Sequence, residues 1–248
     1  MNPGANAEPD PVTTSGATPE ASTGTEAGSE EFLRFVRAHT RLRPVPGVPE
    51  VSLHLADDAI GLWQETETTF GRTDSPPPFW AFAWAGGQAL ARYLLDHPDE
   101  VAGARVLDLA SGSGLVAIAA ALAGAAAVTA NDLDPLSLAA IHRNAAANSV
   151  QLTGHLGDLL ARPAVDADVV LAGDIFYERA TAARMLPFLR RARAAGARVL
   201  VGDPGRAYLP PDGFVAVASY RMPVPVTLED AEDKQTTVWR LVEDHTSG

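Results

Sequence analysis

Residues 104–135, ARVLDLASGSGLVAIAAALAGAAAVTANDLDP, determine the fold of this chain. The run 106–109 is short and apolar and includes a β-branched residue, which is typical of a buried parallel strand. A turn of small residues follows, then an apolar helix over 115–123 and a second strand over 127–130 that leads into Asp132. Strand, glycine turn, helix, strand and terminal acid predict the first half of a nucleotide-binding βαβ unit.

Two ligands compete for such a unit. The spacing Gly112-x-Gly114 fits the loose fingerprint of dinucleotide-binding loops, and Asp132 lies near the position of a ribose-binding acid. Asp108 argues against a dinucleotide, because a carboxylate beside the glycine turn would repel a pyrophosphate at the helix N-terminus. S-adenosylmethionine carries no phosphate and offers an amino group, a sulfonium and a ribose diol. The residues therefore favour S-adenosylmethionine, with NAD as the weaker alternative.

Composition limits the function classes that remain. The 248 residues suffice for one α/β domain with an appendage, and the absence of cysteine excludes disulfides, thiol catalysis and thiolate metal sites. The net charge is −12 without a basic stripe, which argues against nucleic-acid binding and leaves small molecules and proteins as substrates. No run has the length of a membrane span and no signal sequence opens the chain, so we expect no membrane association and a cytoplasmic location.

Three segments are expected along the chain. Residues 1–29 consist mainly of Gly, Ala, Thr, Ser, Pro and Glu, with no aromatic residue. They cannot bury enough apolar surface to offset their ordering entropy, so we predict a disordered acidic tail. Residues 30–100 are predicted to form an appendage with a helix from Glu30, a strand over 51–55 and an aromatic lid. Residues 101–244 are predicted to form the S-adenosylmethionine-binding domain.

The aromatic lid is the segment 78–84, PFWAFAW, which precedes Gly86 and Gly87. One interpretation is a hydrophobic wedge that packs a helix over 89–95 against the core. The other is a lid over the cofactor, with the glycines allowing close approach of the backbone. Trp84 is next to the glycines and is therefore our candidate for the site.

Helices and strands continue to alternate after the βαβ unit. The later elements are predicted helices over 136–148 and 178–195 and predicted strands over 151–156, 168–173 and 198–202. Two further strands, over 213–220 and 236–242, have no helix between them, which indicates an antiparallel pair at one sheet edge. The pattern predicts an α/β fold with a doubly wound, mostly parallel sheet and an antiparallel C-terminal strand pair.

Four predicted strands end on acids, and these acids are Asp132, Asp158, Asp174 and Asp203. In an open parallel sheet the carboxyl ends of the strands line the ligand crevice. A single acid in such a place is usually a helix cap or a turn former. Four in succession indicate a polar binding site at this edge of the sheet.

With these residues assembled, the chain resembles the class I S-adenosylmethionine-dependent methyltransferases. Residues 106–114 resemble the first motif of that superfamily, and NDLDP at 131–135 resembles the second. The chain is most similar to one branch, the lysine methyltransferases that modify the β-subunit of electron transfer flavoprotein. That branch is indicated by PPFWAFAWAGGQALARYLLD at 77–96, GDIFYE at 173–178, GDPGR at 202–206 and TTVW at 236–239. The resemblance covers about residues 48–242 and implies a Rossmann-like sheet of seven strands.

The resemblance implies a role for each candidate residue. The cofactor-binding set is Trp84, Asp108, Ala110, Gly112, Gly114, Asp132 and Asp158, and the catalytic pair is Asp174 and Tyr177. Asp108 and the glycine loop would hold the methionine end, Asp132 the ribose hydroxyls and Asp158 the adenine amino group. Asp174 and Tyr177, which match a DxxY motif, would face the substrate amine. Ala110 stands where the superfamily usually has glycine, and alanine costs little there only if its φ is negative.

The expected activity is N-methylation of a protein lysine, with a small amine or a heterocycle such as nicotinamide as the alternative acceptor. A cofactor-binding scaffold without turnover is the alternative of another class, and the intact DxxY motif argues against it. A lysine amine, with a reference pKa of about 10.4, must arrive neutral or lose its proton in the site. Asp174 is expected to orient the amine and pass the proton to water. Its alternative role is a cap on the helix that begins near Glu178.

Overall fold

The computed structural model describes residues 1, 23–71, 76–163, 166–224 and 233–242. The helices are α1 (Thr23–His39), α2 (Ala59–Phe70), α3 (Ala85–Asp96), α4 (Leu115–Leu122), α5 (Pro135–Ala147) and α6 (Arg179–Ala194). The strands are β1 (Arg41–Val45), β2 (Val48–Leu55), β3 (Arg105–Leu109), β4 (Ala127–Asp132), β5 (Thr153–Leu156), β6 (Val169–Gly173), β7 (Arg198–Asp203), β8 (Phe214–Pro223) and β9 (Asp233–Leu241).

Seven strands form one sheet in the order β5-β4-β3-β6-β7-β9-β8. The five strands β3 to β7 all run parallel to one another. Strand β9 is antiparallel to both β7 and β8. The predicted α/β, doubly wound, mostly parallel sheet with an antiparallel C-terminal pair is therefore confirmed. The direction of winding reverses between β3 and β6, which places the ligand crevice at the carboxyl ends of these two strands.

The central strands are buried on both faces. Val169 and Leu171 of β6 pack in a cluster with residues of α3 and α4. Val170 and Ala172, which alternate with them, pack in a second cluster with residues of α6. Burial on both faces explains why these strands read as continuous apolar runs in the sequence.

The N-terminal appendage contains a hairpin and a second helix that the sequence patterns did not reveal. Strands β1 and β2 form a separate antiparallel pair. Helix α2 begins after Asp58, whose side chain accepts a hydrogen bond from Ile60 N at 3.0 Å, and it ends at Gly71 in the left-handed conformation. Most of the predicted tail lies outside the described residues, and α1 begins at Thr23 rather than at Glu30.

The aromatic segment before α3 packs into the interior. Trp80 and Phe82 are buried together with Phe35 and Val36 of α1 and with part of α5. Both residues are buried as a wedge would be, but they pack against α1 and α5 rather than against the predicted helix over 89–95. No helix in the described part of the chain is long and apolar enough to cross a membrane.

Helix α3 begins four residues earlier than predicted, so Gly86 and Gly87 lie in its first turn. Gly86 passes so close to β7 that an added Cβ would lie 2.2 Å from Gly202 O, and a Cβ at Gly202 would lie 2.0 Å from Gly86 O. A Cβ at Gly173 would lie 2.9 Å from Gly87. We call these four residues the glycine junction. The junction brings the N-terminus of α3 directly onto the carboxyl ends of β6 and β7.

Candidate functional site

The loop between β3 and α4 adopts the left-handed turns that a close backbone approach needs. Gly112 and Gly114 have φ angles of +53° and +82°, which glycine adopts at little cost. A Cβ at Gly114 would lie 3.2 Å from Ile141 Cγ1, so a side chain there would crowd α5. Ala110 has a φ of +54°, so the negative φ under which alanine costs little is not found. An alanine in this region costs about 1–2 kcal/mol relative to the right-handed one.

Asp108, the buried acid of β3, ties the loop to the first turn of α4. Its side chain is 1% exposed, and its Oδ2 accepts hydrogen bonds from Ser111 Oγ at 2.5 Å and from Ala117 N at 3.1 Å. Burial raises the pKa of Asp108 to about 7, the two hydrogen bonds oppose the rise, and the charge of Asp132 adds to it. A cationic group beside Asp108 would therefore be strongly favoured.

Asp132, the last residue of β4, holds the tip of the same loop. Its Oδ2 accepts a hydrogen bond from Gly112 N at 2.9 Å, and its Oδ1 accepts from Leu133 N at 2.7 Å and Asp134 N at 3.0 Å. Burial raises the pKa of Asp132, while these backbone donors oppose the rise. The structure thus brings Asp108, the glycine loop and Asp132 into one group.

Asp158 stands apart from that group. Its side chain is exposed, accepts a hydrogen bond from Leu160 N at 2.8 Å and forms an ion pair with Arg184 of α6. The hydrogen bond from Leu160 is the main cause that lowers the pKa of Asp158, with Arg184 contributing. Its loop nevertheless lies beside β4, because Gly157 N donates to Asp132 O at 2.9 Å.

Asp174 lies at the winding reversal, directly after β6, with its side chain 10% exposed. Its Oδ2 accepts a hydrogen bond from Gly87 N in the first turn of α3 at 3.0 Å. Its Oδ1 accepts from Nη2 and Nε of Arg206 at 2.9 and 3.2 Å. Burial raises the pKa of Asp174 to about 6, Arg206 opposes this rise, and Asp203 adds to it.

The alternative role of Asp174 as a cap on α6 is wrong. The N-cap residue of α6 is Glu178, and the contacts of the Asp174 carboxylate are with α3 and the loop after β7. Asp174 has a φ of +54°, which is uncommon for a residue other than glycine. Such strain is found where the surrounding structure fixes a side chain in a required place, and functional sites are a common case.

An aromatic wall extends from Asp174 toward the surface. The guanidinium of Arg206 lies 5.9 Å from the centre of the Trp84 ring, and the Phe79 ring lies 5.8 Å from that of Trp84. The Tyr177 ring lies 5.4 Å from that of Phe79 and its side chain is 43% exposed. The indole N–H of Trp84 donates to Phe79 O at 3.0 Å. Trp84 and Tyr177 therefore belong to the same group as Asp174.

The donor set of the glycine loop fits S-adenosylmethionine and does not fit a dinucleotide. Ala117 N, in the first turn of α4, donates to the Asp108 carboxylate. That turn is where a pyrophosphate docks in dinucleotide-binding folds. A carboxylate in this place repels phosphate and attracts an amino group, and a second carboxylate at the end of β4 suits a diol.

Three residues of the site have no individual role that the sequence predicts. Arg206 lies within GDPGR, where a basic residue two positions after Pro204 at a strand end is a usable signal. For Asp203 the sequence predicts only that it is a strand-terminal acid. Phe79 is part of the aromatic segment, and no sequence signal distinguishes it from the buried Trp80.

Comparison with known proteins identifies relatives of this chain. The family model described as ribosomal protein L11 methyltransferase (PrmA) matches residues 89–178. The electron transfer flavoprotein beta subunit lysine methyltransferase of Danio rerio is 35% identical over 227 residues, which cover 89% of this chain and 86% of that protein. The Homo sapiens protein of the same name is 41% identical over 179 residues, which cover 71% of this chain and 67% of that protein.

The fold is found among solved structures. The crystal structure of PH1948 from Pyrococcus horikoshii aligns with a TM-score of 0.51 at 17% identity, over 75% of this chain and 98% of that chain. This likeness concerns the fold alone, whereas the curated relatives extend over most of both sequences. The chain belongs to the class I S-adenosylmethionine-dependent methyltransferases, in the family of the electron transfer flavoprotein β-subunit lysine methyltransferases.

Proposed function

We propose that this protein transfers a methyl group from S-adenosylmethionine to a lysine ε-amino group on the β-subunit of an electron transfer flavoprotein. The observation that carries the proposal is the buried carboxylate of Asp174 at the winding reversal, at one end of an aromatic wall. A carboxylate and aromatic faces are the groups that bind an alkylammonium. The names of the relatives indicate the acceptor protein. The match to the Danio rerio protein covers 86% of that protein.

In this proposal the chain divides binding of the two substrates between two groups of residues. Asp108 and the glycine loop hold the methionine end of the cofactor, and Asp132 holds the ribose. Bound S-adenosylmethionine supplies a methyl group on a sulfonium that is already activated for in-line displacement. Because no strong general base is needed, the main task of the protein is positioning.

The amine is positioned by the second group. The Asp174 carboxylate accepts a hydrogen bond from the ε-amino group and so orients the lone pair of the amine nitrogen toward the methyl group of the cofactor. The proton that the amine releases passes to water at the open end of the aromatic wall. The Trp84, Phe79 and Tyr177 rings line the path of the lysine stem and exclude bulk water. The exposed edge of Tyr177 fits an acceptor that arrives from outside as part of a protein surface.

The test is methylation of a purified acceptor. The protein is incubated with methyl-labelled S-adenosylmethionine and an electron transfer flavoprotein heterodimer, and both subunits are analysed by intact mass and peptide mapping. We expect mass increases of one or more methyl groups on lysine of the β-subunit, which disappear when the mapped lysine is replaced by arginine. The α-subunit of the same heterodimer is the internal control.

Parallel reactions contain ribosomal protein L11, suggested by the family-model match, and a small-molecule extract. Label on L11 or in the extract, with none on the β-subunit, would contradict the proposed acceptor. Cofactor binding without label in any fraction would favour the scaffold.

A further inference from the structure

The charges around Asp174 do not balance. Asp203, the last residue of β7, is 0% exposed, and its Oδ1 accepts hydrogen bonds from Gly205 N and Arg206 N, each at 2.7 Å. Its Oδ2 is buried without a hydrogen-bond partner among the described residues. Arg206 therefore contacts two buried carboxylates, Asp174 through its guanidinium and Asp203 through its backbone N–H.

Each element packed against Asp174 contributes one group to this balance. Helix α3 contributes the N–H of Gly87, β7 contributes the Asp203 carboxylate, and the loop after β7 contributes Arg206. Two of these groups stabilise the ionised form of Asp174 and one destabilises it. Burial also favours the neutral form, so ionisation of Asp174 depends on Arg206.

A neutral Asp174 would be a poor receptor for an amine. A protonated carboxyl loses the charge that attracts an ammonium and part of its acceptor capacity. It also cannot relay the proton that the amine must lose. The proposed reaction therefore requires a means of keeping a buried carboxylate charged at the pH of the cell.

We propose that Arg206 is a positioning residue for methyl transfer, which holds Asp174 in its ionised form and in the rotamer that faces the acceptor amine. This inference rests on the proposed role of Asp174. Arg206 contacts Oδ1 through two nitrogens and lies over the Trp84 ring, so its side chain is fixed from both sides. Its side chain is 18% exposed, which places it at the rim of the site.

The kinetic test is the dependence of kcat/KM on pH for Arg206→Gln, Arg206→Lys and wild type with one acceptor. The acceptor lysine titrates identically in all three assays, so differences between them report on the enzyme. We expect the acidic limb of the glutamine variant to move upward by at least about one pH unit, since an opposite charge at this range shifts a carboxyl by about 1–3 units. The factor by which activity falls is then largest at and below about pH 6 and shrinks as the pH rises. In Arg206→Lys the acidic limb should move back most of the way to its wild-type position, because the positive charge is kept.

Arg221→Gln is the matched control, because Arg221 is 76% exposed and pairs with Asp233 at the far sheet edge. Its profile should coincide with that of wild type. A merely structural role for Arg206 predicts a different result, in which activity falls by the same factor at every pH and the limb stays in place. That result would overturn the inference.

A second measurement needs no acceptor. In protein labelled with ¹³C at the aspartate carboxyls, the resonance that disappears in Asp174→Asn reports the pKa of Asp174. We expect titration near pH 6 in wild type and at least about one unit higher in Arg206→Gln. An unchanged pKa would overturn the inference even if the proposed acceptor were correct. A raised pKa without methylation of the flavoprotein would contradict the proposed acceptor and leave the role of Arg206 intact.

Discussion

Asp132 has two tasks at the residue scale, because the carboxylate that is proposed to bind the ribose also holds Gly112 N. Its three backbone donors approach from the loop and from the start of the α5 connection. The Ser137 hydroxyl also donates to this carboxylate, so a ribose diol would share its acceptor sites with donors of the chain. Removal of the side chain therefore affects both the ligand and the loop that holds it.

We predict that Asp132→Ala weakens S-adenosylmethionine binding roughly ten- to more than a hundredfold, equivalent to about 1.5–3 kcal/mol for a lost charged acceptor. Isothermal titration calorimetry measures the change. Asp132→Asn is the matched variant, since it keeps one acceptor oxygen for Gly112 N and should lose less affinity. An unchanged dissociation constant in the alanine variant would remove Asp132 from the cofactor site.

Asp174→Asn separates catalysis from cofactor binding. We expect the affinity for S-adenosylmethionine to stay within about threefold of wild type, because the partners of Asp174 are Gly87 and Arg206 rather than the glycine loop. We expect kcat/KM to fall at least about tenfold, because the amide lacks the charge that holds the amine. Asp233→Asn, which removes an exposed carboxylate, is the control. Activity of Asp174→Asn within about twofold of wild type would contradict the catalytic role.

Ala110 offers a test of backbone strain. Because its φ is +54°, Ala110→Gly should stabilise the protein by about 1 kcal/mol, after the greater unfolded-state entropy of glycine is subtracted. The same substitution at Ala119, buried inside α4, should instead destabilise by about 1 kcal/mol or more. Urea denaturation of both variants gives the comparison. Destabilisation by both would show that the left-handed conformation of Ala110 is not strained.

At the scale of the elements, the glycine junction fixes where α3 meets the sheet and thereby where Gly87 N meets Asp174. A Cβ at Gly86 would lie 2.2 Å from Gly202 O, whereas the nearest atoms to a Cβ at Gly87 would be 3.9 Å away. Two adjacent glycines of one helix thus differ in the space around them. The pair forms a matched set of variants.

We predict that Gly86→Ala destabilises the protein by about 1–3 kcal/mol, the usual cost of overpacking, and lowers kcat as α3 is displaced from Asp174. Gly87→Ala should change stability by less than about 1 kcal/mol, because its Cβ would make ordinary contacts and helix propensity improves. Thermal denaturation and initial rates are measured for both. Equal effects of the two substitutions would show that the close approach of Gly86 to β7 is unimportant.

The elements that the sequence predicted well are those whose environment is uniform along the chain. Strands β3, β6 and β7 are buried on both faces, so apolar residues dominate their sequences, and β6 and β7 end on glycine and on acid respectively. Helix α2 is not predicted from the sequence, because only its residues Leu62 and Thr66 are buried and little apolar periodicity remains. Its caps, Asp58 and Gly71, were the remaining signal.

The candidate site also has a part that the sequence predicts and a part that it does not. The glycine loop and Asp132 are local in sequence, so a motif predicts them together. The contact between Asp174 and Arg206 joins residues 32 positions apart, and that between Gly87 and Asp174 joins residues 87 positions apart. Such contacts depend on the order of the strands and the packing of α3, which no local pattern specifies.

At the scale of the whole molecule, the binding site lowers the stability of the fold, because it buries several carboxylates whose pKa values are raised. Burial raises the pKa of Asp108 to about 7 and that of Asp174 to about 6, and it also raises the pKa values of Asp132 and Asp203. In the unfolded chain an aspartate titrates near pH 3.9. Between these values the folded protein binds more protons than the unfolded chain, so the free energy of unfolding decreases as the pH rises.

We therefore predict that the protein without cofactor is more stable at pH 5 than at pH 8, by several kcal/mol at most on the basis of Asp108 and Asp174. The exposed Asp158, with its lowered pKa, adds nothing in this window, because it is ionised in both states above pH 5. His54 acts in the opposite direction, since burial lowers its pKa. Urea denaturation at the two pH values measures the difference.

Asp108→Asn identifies the source of this dependence. The amide cannot ionise, so the variant should lose much of the decrease in stability between pH 5 and pH 8 while its stability at pH 5 changes little. S-adenosylmethionine should reduce the same decrease in wild type, because its amino group compensates the charge of Asp108 and because any ligand of the folded state stabilises it. The cofactor should have a smaller effect on the pH dependence of Asp108→Asn. Wild-type stability that increases from pH 5 to pH 8 would show that these carboxylates are not held in the buried environment that the fold gives them.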